Sequence, residues 1–509
     1  MVDELSFFLM YKNSLYLLIG TICSIFSIGK LNIPITIYIW PFCFLHYLHM
    51  NENKIKSLIK IYICILISNL IRWIGCSNLN IYYDLLCGFY FSISTIIPYI
   101  IDIILWKKIS KWKNIFIYPL SIGFTEYILS FYCFSNNNLL AYSQLDNIPF
   151  LQIISLFGTF FLSFIIALFA SILDYSIEVY QKERKITKFV YYYIAINIII
   201  YLYGGIILII PYNRETFRAV SVRGISQLYF VRKENDIRPL ENYYEYINNT
   251  LNKAKSINAD FISYAERAFA FEEEDTNKFI TKVLDMVKYY NIDTLLSLDI
   301  RYKKEEIRSK QNMNIYIQSN GQIIYNYTKH NLIPFVEFDY FPTKEPLKVL
   351  DTKNGKLSTV ICYDINYPMF INSLSKKNLD ILIVPSWDYP GVAEFQSKEA
   401  RYKAIEGGFN LIKNTANGVV IASDYKGRIL NYFSGKDCQD YFIVSELYKH
   451  GIKTLYSYIG QVFNFIYLIG IFIVIYLPDN ENIELEKLKK FKFYYKFKWY
   501  SINSNFDIT

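Results

Sequence analysis

The chain has 509 residues, of which 53% are hydrophobic and 18% aromatic, and this composition excludes a single ordinary soluble domain. The formal net charge is +8, but the basic residues lie beside apolar segments, which argues against a nucleic-acid-binding protein. Eight cysteines without a CxxC pair or a zinc-type spacing with histidine argue against a disulfide framework and predict no metal site.

Apolar runs fill the first 210 residues, and a further run follows a long polar segment. Most of these runs reach the roughly 20 residues that a helix needs to cross a bilayer. We predict eight membrane-spanning helices, at Ser14–Ile28, Leu31–His49, Ser57–Ile74, Ile81–Trp106, Asn114–Phe134, Pro149–Leu173, Phe189–Ile210 and Thr454–Leu477. His46 and His49 share one face of the second run, and we predict that they are interfacial polar groups without a carboxylate partner.

Basic residues are concentrated in alternate connections between these runs. The connections 51–60, 107–113 and 181–188 are rich in lysine, whereas the intervening ones are nearly free of positive charge. By the positive-inside rule, the basic connections and the C-terminal tail face the cytoplasm. The pattern predicts a multi-pass protein of the plasma (inner) membrane with both termini cytoplasmic. The segment between the seventh and eighth runs would then lie on the outer (periplasmic or extracytoplasmic) face.

The segment 213–450 alternates β-rich runs with runs of amphipathic helical spacing, which predicts an α/β domain. The predicted strands are Phe217–Val222, Phe261–Tyr264, Thr294–Leu298, Ile315–Gln318, Ile323–Tyr327, Ser358–Cys362, Ile381–Pro385 and Val419–Ser423. The predicted helices are Glu241–Lys255, Asp275–Tyr290 and Glu394–Glu406. Asn320-Gly321, between two of the strands, is typical of a hairpin turn.

These elements predict four regions along the chain. A membrane domain with seven helices occupies 1–212, and the extramembrane α/β domain occupies 213–450. The eighth membrane helix lies in 451–478. In the tail, 479–509, lysines alternate with aromatic residues, which is typical of a strip that lies on an anionic leaflet.

Cys362 ends the most informative segment of the α/β region. Mostly β-prone residues precede it, and Tyr363, Asp364 and Pro368 follow it. This pattern predicts a strand that presents a thiol at the edge of a sheet, where α/β proteins place their ligands. By itself the pattern fits both a buried structural thiol and a nucleophile.

Two other segments place charged groups just beyond predicted strands. Glu266 follows one strand, and Lys329 and Glu337 lie in the irregular segment after another. A cysteine nucleophile needs a base and a positive environment, which a carboxylate and a lysine supply. The lysine, together with the backbone N–H of Tyr363, would stabilise an oxyanion.

Two readings of other classes stay open at this point. One is a Cys–His protease in which His330 or His450 serves Cys362, although no flanking motif of that kind is present. The other is a membrane scaffold or transporter without catalytic activity. The presence of a glutamate, a lysine and a cysteine together favours an enzyme.

The order of Glu266, Lys329 and Cys362, each after a strand, resembles the carbon–nitrogen hydrolase (nitrilase) superfamily. The segment Lys329–Phe338 is similar to the motif K-x-x-L-V-P-F-G-E, and Ile361–Asp364 is similar to I-C-Y-E. Residues 385–391, PSWDYPG, resemble P-S-N-D-x-W-F-G, and two later segments, 401–406 and 414–418, are similar to R-A-I-E and A-T-N-x-G. With seven apolar runs before this region and one after it, nearly the whole chain resembles the apolipoprotein N-acyltransferase family.

The resemblance implies a nitrilase-like α-β-β-α sandwich joined to an α-helical membrane bundle of eight transmembrane helices. It implies that Glu266 is the general base, Lys329 the oxyanion stabiliser, Cys362 the nucleophile and Glu337 a second active-site carboxylate. The implied reaction needs no cofactor. A fatty acyl chain passes from a phospholipid to the cysteine as a thioester, and then to the free N-terminal amine of a diacylglyceryl-cysteine lipoprotein.

Several residues around this set depart from the family pattern. Ala265-Glu266-Arg267 stands in place of P-E-S/T, Val336 in place of glycine, Asp364 in place of glutamate and Trp387 in place of asparagine. We expect Tyr363 and Asp364 to support the site, and Trp387 and Phe335 to bind substrate. A membrane-tethered amidase, which would pass its acyl group to water, needs the same three reactive residues. An apolar mouth that excludes water would favour transfer to an amine.

Overall fold

A computed structural model describes residues 2–77, 81–106, 109, 112–132, 138–211, 215–224, 238–303, 309–435 and 441–476. Side chains are described from residue 13 onward, except that of residue 461. The predicted tail at 479–509 lies outside the described residues, as do Lys107, Lys108 and Lys111 of the second basic connection.

Helices form both ends of the described chain. The N-terminal bundle contains α1 (Val2–Ile25), α2 (Thr36–Met50), α3 (Lys54–Trp73), α4 (Ile81–Trp106), α5 (Asn114–Leu129), α6 (Ile148–Leu151), α7 (Ile154–Phe157), α8 (Thr159–Glu183) and α9 (Lys188–Ile209). The C-terminal part adds α14 (Leu455–Ile459) and α15 (Phe465–Tyr476). The helices pack around a shared apolar core that includes Trp40, Phe44, Tyr99 and Phe160.

Among the described helices, α4, α8 and α9 are long and apolar enough to cross a membrane. Shorter apolar helices lie at Asn13–Ile25, Ile148–Phe157 and Val462–Tyr476. Only 11% of the apolar window of α9 is buried, so most of its apolar surface is exposed. Three of the eight predicted membrane spans are therefore supported by helices of sufficient length, and the other five are not confirmed.

Two of the predicted spans are interrupted by glycines with positive φ. The sixth run breaks at Gly158 (φ 81°) and the eighth at Gly460 (φ 56°). A Cβ on Gly158 would lie 2.3 Å from the ring of Tyr456, and one on Gly460 would lie 2.2 Å from the side-chain nitrogen of Asn372. Both the backbone conformation and the close approach thus require glycine. The short helices α7 and α14, which end at these two glycines, pack against each other.

The two histidines of α2 have carboxylate partners, contrary to the prediction. His46 Nδ1 lies 2.7 Å from Asp174 Oδ1, and the ring of His49 lies between Asp174 (2.6 Å) and Asp102 (2.7 Å). The partners come from α8 and α4, more than 50 residues away along the chain, so the sequence near the histidines gave no sign of them. All four groups are buried together inside the bundle.

The α/β region contains β1 (Thr216–Val222), β2 (Phe261–Tyr264), β3 (Phe269–Glu272), β4 (Asp293–Arg301), β5 (Lys310–Ile317), β6 (Ile323–Thr328), β7 (Leu350–Thr352), β8 (Gly355–Thr359), β9 (Ile381–Ser386), β10 (Asn410–Thr415), β11 (Val419–Ser423), β12 (Ile429–Ser434) and β13 (Phe442–Tyr448). Its helices are α10 (Leu240–Ser256), α11 (Glu273–Tyr290), α12 (Pro368–Ser375) and α13 (Ala393–Gly407).

Within the described residues, these strands form two mixed sheets. The first has the order β13-β1-β2-β4-β5-β6, with β3 paired to β4, and the second has the order β12-β11-β10-β9-β8-β7. Residues of both sheets, such as Leu295 and Leu382, meet in one apolar cluster. Helices α10 and α11 cover the first sheet, and α12 and α13 pack on the second. The layers therefore follow the nitrilase-like α-β-β-α order that the resemblance implied.

Every predicted strand and helix of this region lies within or overlaps an observed one, and the hairpin between β5 and β6 is confirmed. One boundary differs in a way that affects the site. Strand β8 ends at Thr359, and Cys362 begins a 3₁₀ turn (Cys362–Asn366) with φ 47°. The thiol is therefore presented by a tight turn after the strand and not by the strand itself.

Helix α13 fixes the α/β region to the bundle through buried polar contacts. The guanidinium of Arg401 donates to the carbonyl oxygen of Leu145 at 2.6 Å, and Tyr402 donates to that of Ala141 at 2.8 Å. The carboxylate of Glu406 accepts from the backbone N–H of Thr159 at 2.6 Å. Because these contacts are buried and directional, they fix the position of the α/β region on the bundle.

Candidate active site

Glu266 lies just after β2 and is 2% exposed. Its Oε1 accepts a hydrogen bond from Asn312 on β5 at 2.7 Å and one from the ammonium group of Lys329 at 3.0 Å. The buried strand β2 delivers the carboxylate to the sheet edge, and the partners on neighbouring strands hold it there. Asn312 was not predicted, since an asparagine inside a strand gives no signal of a catalytic neighbour.

Lys329 follows β6 and is completely buried. Its Nζ lies 3.0 Å from Glu266 and 2.8 Å from Glu337, so one ammonium group lies between two carboxylates. Glu337 Oε2 also accepts from the backbone N–H of Ile333 at 2.8 Å, which closes the loop around the lysine. Burial lowers the pKa of Lys329, but the two carboxylates outweigh that effect and raise the pKa well above its usual value. The lysine therefore stays charged.

Cys362 is half-buried, and its Sγ lies 4.0 Å from the carbonyl oxygen of Trp387. Burial raises the pKa of the thiol well above its usual value, and the negative charge of Glu266 raises it further. The charge of Lys329 acts in the opposite direction. The charges of Glu266 and Lys329 therefore both influence the ionisation of the sulfur. The resting form is accordingly a neutral thiol, which must lose a proton before it can attack.

Asp364 joins the lysine segment to the cysteine turn. Its carboxylate accepts from the backbone N–H of Ile361 at 3.1 Å, from Asn331 N and Nδ2 at 2.7 and 3.0 Å, and from Tyr327 Oη at 2.7 Å. Burial raises the pKa of Asp364, and these hydrogen bonds oppose the rise. One carboxylate thus fixes the backbone on both sides of the site.

Arg267 and Trp387, two of the departures from the family pattern, contact each other. The guanidinium of Arg267 lies 5.3 Å from the ring of Trp387 and 5.2 Å from the ring of Tyr340. It also donates to Asp299 at 2.9 Å, and Asp299 accepts from Tyr340 at 2.9 Å. Burial opposes the charge of Arg267, but Asp299 outweighs it and raises the pKa of the guanidinium further. A cation in contact with both rings therefore supports the wall that Trp387 contributes.

The thiol of Cys362 opens into a cleft with about 740 Å³ of empty space, part of it open to solvent. One wall belongs to the α/β region, and the opposite wall belongs to α3, α4 and their connection. The residues of the bundle that line it are mainly apolar or aromatic: Trp73, Cys76, Ser77, Tyr83, Asp84, Cys87 and Phe91. The cleft therefore lies between the two parts of the molecule.

The structure brings Glu266, Lys329 and Glu337 into direct contact and places Tyr363 and Trp387 in the cleft wall beside Cys362. Phe335, predicted to bind substrate, is not among the residues that line the cleft. It is 72% exposed and has φ 63°.

Neither histidine of the protease alternative lines the cleft. The ring of His330 packs on that of Phe370, with 4.6 Å between the centroids. His450 lies at the surface, 3.7 Å from Asp380. The charges that act on Cys362 include those of a carboxylate and a lysine, and the Cys–His reading has no support in the described residues.

A second ion pair in the cleft was missed by the sequence analysis. Lys413 on β10 lies 2.5 Å from Asp388, and both groups line the cleft that contains Cys362. Lys413 also lies 3.4 Å from the hydroxyl of Ser397. Asp388 lies in the segment PSWDYPG, whose resemblance to a family motif could have placed it near the site. Lys413 lies in a strand that was not predicted.

Two family models match the chain in succession. The apolipoprotein N-acyltransferase N-terminal domain matches residues 20–172, and the carbon-nitrogen hydrolase model matches residues 247–458. A solved amidase from Nesterenkonia sp. is 16% identical and covers 46% of this chain and 91% of its own, with a TM-score of 0.39.

Among curated proteins, the chain is similar to apolipoprotein N-acyltransferase 2 of Treponema denticola, with 24% identity over 61% of this chain and 66% of the relative. It is 25% identical to the apolipoprotein N-acyltransferase of Aquifex aeolicus over 57% of this chain and 69% of the relative. For that of Rickettsia bellii, the match spans only 37% of the relative at 24% identity. The chain thus spans about two thirds of two of these relatives and about a third of the other. Both domain models match in this order, which supports the resemblance to the apolipoprotein N-acyltransferase family.

Proposed function

We propose that the protein is a membrane N-acyltransferase that moves a fatty acyl chain from a phospholipid to the N-terminal amine of a diacylglyceryl-cysteine lipoprotein. The observation that carries this proposal is the position of Cys362 in a cleft whose other wall is the membrane bundle. An acyl chain can reach this thiol along an apolar wall without passing through bulk water, which suits two lipid substrates and disfavours hydrolysis.

In the first half-reaction, Glu266 takes the proton of the Cys362 thiol as the sulfur attacks the ester carbonyl of the phospholipid. Lys329 and the backbone N–H of Tyr363 stabilise the oxyanion of the tetrahedral intermediate. When the intermediate collapses, the C–O bond breaks, and the lysophospholipid alkoxide receives the proton from Glu266. The enzyme is left as a thioester on Cys362.

In the second half-reaction, the free amine of the lipoprotein attacks the thioester carbonyl. The same oxyanion donors stabilise the second intermediate, and Glu266 takes the proton from the attacking nitrogen. The C–S bond then breaks, the amide forms, and the sulfur recovers the proton from Glu266. Glu337 keeps Lys329 in place through both steps, since it holds the ammonium group at 2.8 Å.

The proposed site requires a particular membrane orientation. The lipoprotein amine is presented on the outer face, so the α/β region would lie outside the plasma (inner) membrane and both termini in the cytoplasm. The charge pattern of the connecting segments supports this orientation. Cysteine labelling tests this orientation. Single cysteines introduced at 51–60 and 181–188 should react with an impermeant reagent only from the cytoplasmic side.

Intact mass of the protein purified from membranes tests the thioester directly. We expect an added fatty-acyl mass that disappears with hydroxylamine and is absent from Cys362→Ala. Cys64→Ala, which removes a half-buried thiol from the bundle, is the matched control and should keep the added mass. Normal transfer activity in Cys362→Ala would contradict the mechanism.

Addition of a diacylated lipopeptide to the acylated protein then identifies the acceptor. Appearance of a triacylated lipopeptide supports N-acyl transfer. Release of free fatty acid at an equal rate with and without the lipopeptide would instead indicate a membrane-tethered amidase-type hydrolase. Absence of the adduct and of turnover would indicate a scaffold without catalytic activity.

A further inference from the structure

A second cavity lies inside the helical bundle, next to the catalytic cleft. It has about 590 Å³ of empty space, part of it open to solvent, and is lined by residues from α2 to α5 and by the segment 138–140. Phe91 of α4 lines both this cavity and the catalytic cleft. Arg72 lines the second cavity, and the next residue, Trp73, lines the cleft. The two spaces are therefore direct neighbours at the end of the bundle that meets the α/β region.

Arg72 is a buried cation whose partners among the described residues are neutral. It is 4% exposed, and in the part of the chain that the structure describes no carboxylate lies within 4.0 Å of its guanidinium. Its terminal nitrogens donate to the amide oxygens of Asn138 (3.3 Å) and Asn69, and its Nε–H has no partner among the described residues. Burial of a charge with only neutral partners is costly, and a negative group in the cavity would offset that cost.

Two further donors in the cavity wall have no partner among the described residues. They are the indole N–H of Trp40 and the hydroxyl of Thr125, on α2 and α5 respectively. Buried donors in folded proteins are almost always satisfied, and here three separate elements leave such donors facing one space. A ligand rich in hydrogen-bond acceptors would satisfy them together.

The carboxylate of Glu126 also lines this cavity, and it does not neutralise Arg72 through a direct ion pair. Its Oε1 accepts from the backbone N–H of Leu140 at 2.9 Å, which holds the segment 138–140 over the cavity. Its Oε2 has no partner among the described residues. That oxygen is available to a hydrogen-bond donor elsewhere on the ligand.

We propose that this cavity binds the phosphodiester of a glycerophospholipid, with Arg72 as the main anchor and Trp40 and Thr125 as further donors. Arginine matches phosphate oxygens with two parallel hydrogen bonds and retains its charge when buried. A phosphodiester bound here would keep an acyl ester of the same lipid near Phe91, at the boundary with the cleft. The ester would then be positioned for attack and would not have to meet the thiol by diffusion in the bilayer. That role rests on the proposed function, in which a phospholipid is the acyl donor.

Phospholipid retained by the purified full-length protein tests binding without any need for turnover. Lipid phosphorus per protein would be measured after purification in a phosphate-free detergent buffer. We expect Arg72→Gln to lose at least about 10-fold in retained phospholipid, as for removal of a charge-assisted hydrogen bond, and Thr125→Val to lose a smaller fraction. Lys30→Gln removes a positive charge from an exposed site at the same end of the bundle and should change nothing.

The source of the phosphate is tested by competition. Inorganic phosphate at millimolar concentration should displace little lipid if the glycerophospholipid is the ligand, whereas full displacement would show that a free phosphate site had been mistaken for a lipid site. Equal lipid retention in wild-type protein, Arg72→Gln and Thr125→Val would overturn the proposal and leave a cavity that holds only water. If Arg72→Gln fails to fold, Thr125→Val, which nearly conserves volume, carries the comparison.

Acyl donors with and without a phosphate separate this proposal from the proposed function. For Arg72→Gln, we expect at least a 10-fold loss in the rate of Cys362 acylation by a phospholipid, and an unchanged rate with a diacylglycerol of the same chains. An equal loss with both donors would overturn the role of Arg72 in phosphate recognition. If wild-type protein forms no thioester with either donor, the proposed function fails, while lipid retention still decides whether the cavity binds the phosphodiester.

Discussion

Two buried cations, Lys329 in the α/β region and Arg72 in the bundle, have opposite surroundings. Lys329 lies between the carboxylates of Glu266 and Glu337, within 3.0 Å of both. Within the described residues, Arg72 has only amide oxygens as partners, and its Nε–H has none. A cation whose charge is balanced by two carboxylates is fixed in place and can act on a neighbouring reacting atom. A cation that has neutral partners and an unused N–H donor can still bind a ligand that carries negative charge.

Replacement of Lys329 should produce the largest loss of activity among the changes that test this comparison. We expect Lys329→Met and Glu266→Gln each to lose at least ~10³-fold in the rate of acyl transfer, because one removes an oxyanion donor and the other the base. A fluorescent lipopeptide shift measures the rate. Arg72→Gln should keep turnover with a phosphate-free donor, and equal losses at both cations would erase the distinction between them.

The same lysine should control the ionisation of the thiol. Lys329 lowers the pKa of Cys362 against the raising effects of burial and Glu266, so Lys329→Met should raise that pKa further. Alkylation by iodoacetamide, which reports the thiolate, should then need a higher pH to reach half its maximal rate. Lys398→Met, at a surface ion pair, is the matched control and should leave the profile in place. A profile that moves to lower pH in Lys329→Met would contradict the assignment.

Asp364 should give a smaller loss, because it positions the site and does not touch the reacting atoms. Asp364→Asn keeps the shape but replaces one acceptor oxygen by an NH₂ group, which faces the Tyr327 hydroxyl in the Oδ2 position or the Asn331 donors in the Oδ1 position. We expect a 10- to 100-fold slower acylation and a lower melting temperature, since hydrogen bonds to a charged group contribute about 1.5–3 kcal/mol each. Asp351→Asn, an exposed carboxylate on β7, should change neither quantity.

The contact between Arg267 and Trp387 should appear as an energetic coupling. A double-mutant cycle with Arg267→Ser and Trp387→Asn, which restores the family pattern at both positions, should give a coupling of about 0.5–2 kcal/mol in the free energy of unfolding. The sign follows from the cation–π contact, so the double variant should be more stable than the sum of the single losses predicts. Strict additivity would mean that the two departures arose without structural relation.

The sequence was informative wherever apolar periodicity dominated. Strands such as Phe261–Tyr264 and Val419–Ser423 were predicted with their observed limits, because every position in them is buried. Strand β10, NLIKNT, escaped prediction because Asn410, Lys413 and Asn414 are buried polar residues that satisfy distant partners. Polar residues in a buried strand look like a loop until the partners are known.

The site was predicted by residue type but not by arrangement. Glu266, Lys329 and Cys362 each follow a strand, and that much is visible along the chain. Cys362 has a positive φ, and Asp364 holds the backbone around it through hydrogen bonds with Ile361 and Asn331, which are contacts that the sequence does not show. The carboxylates of Asp102 and Asp174 beside His49 were hidden for the same reason, since contacts across helices leave no local trace.

Phe335 should give the smallest effect, and it tests whether exposed aromatic residues serve the substrate at all. The side chain lies outside the cleft, is 72% exposed and has a left-handed backbone that asparagine tolerates better than most residues. We expect Phe335→Asn to raise KM for a vesicle-borne phospholipid a few-fold at constant kcat, because the ring can only act before the lipid reaches Cys362. Tyr289→Asn, on the equally exposed surface of α11, should leave KM unchanged. A fall in kcat at constant KM would instead place Phe335 in the chemical step and separate it from the cleft wall that Trp387 provides.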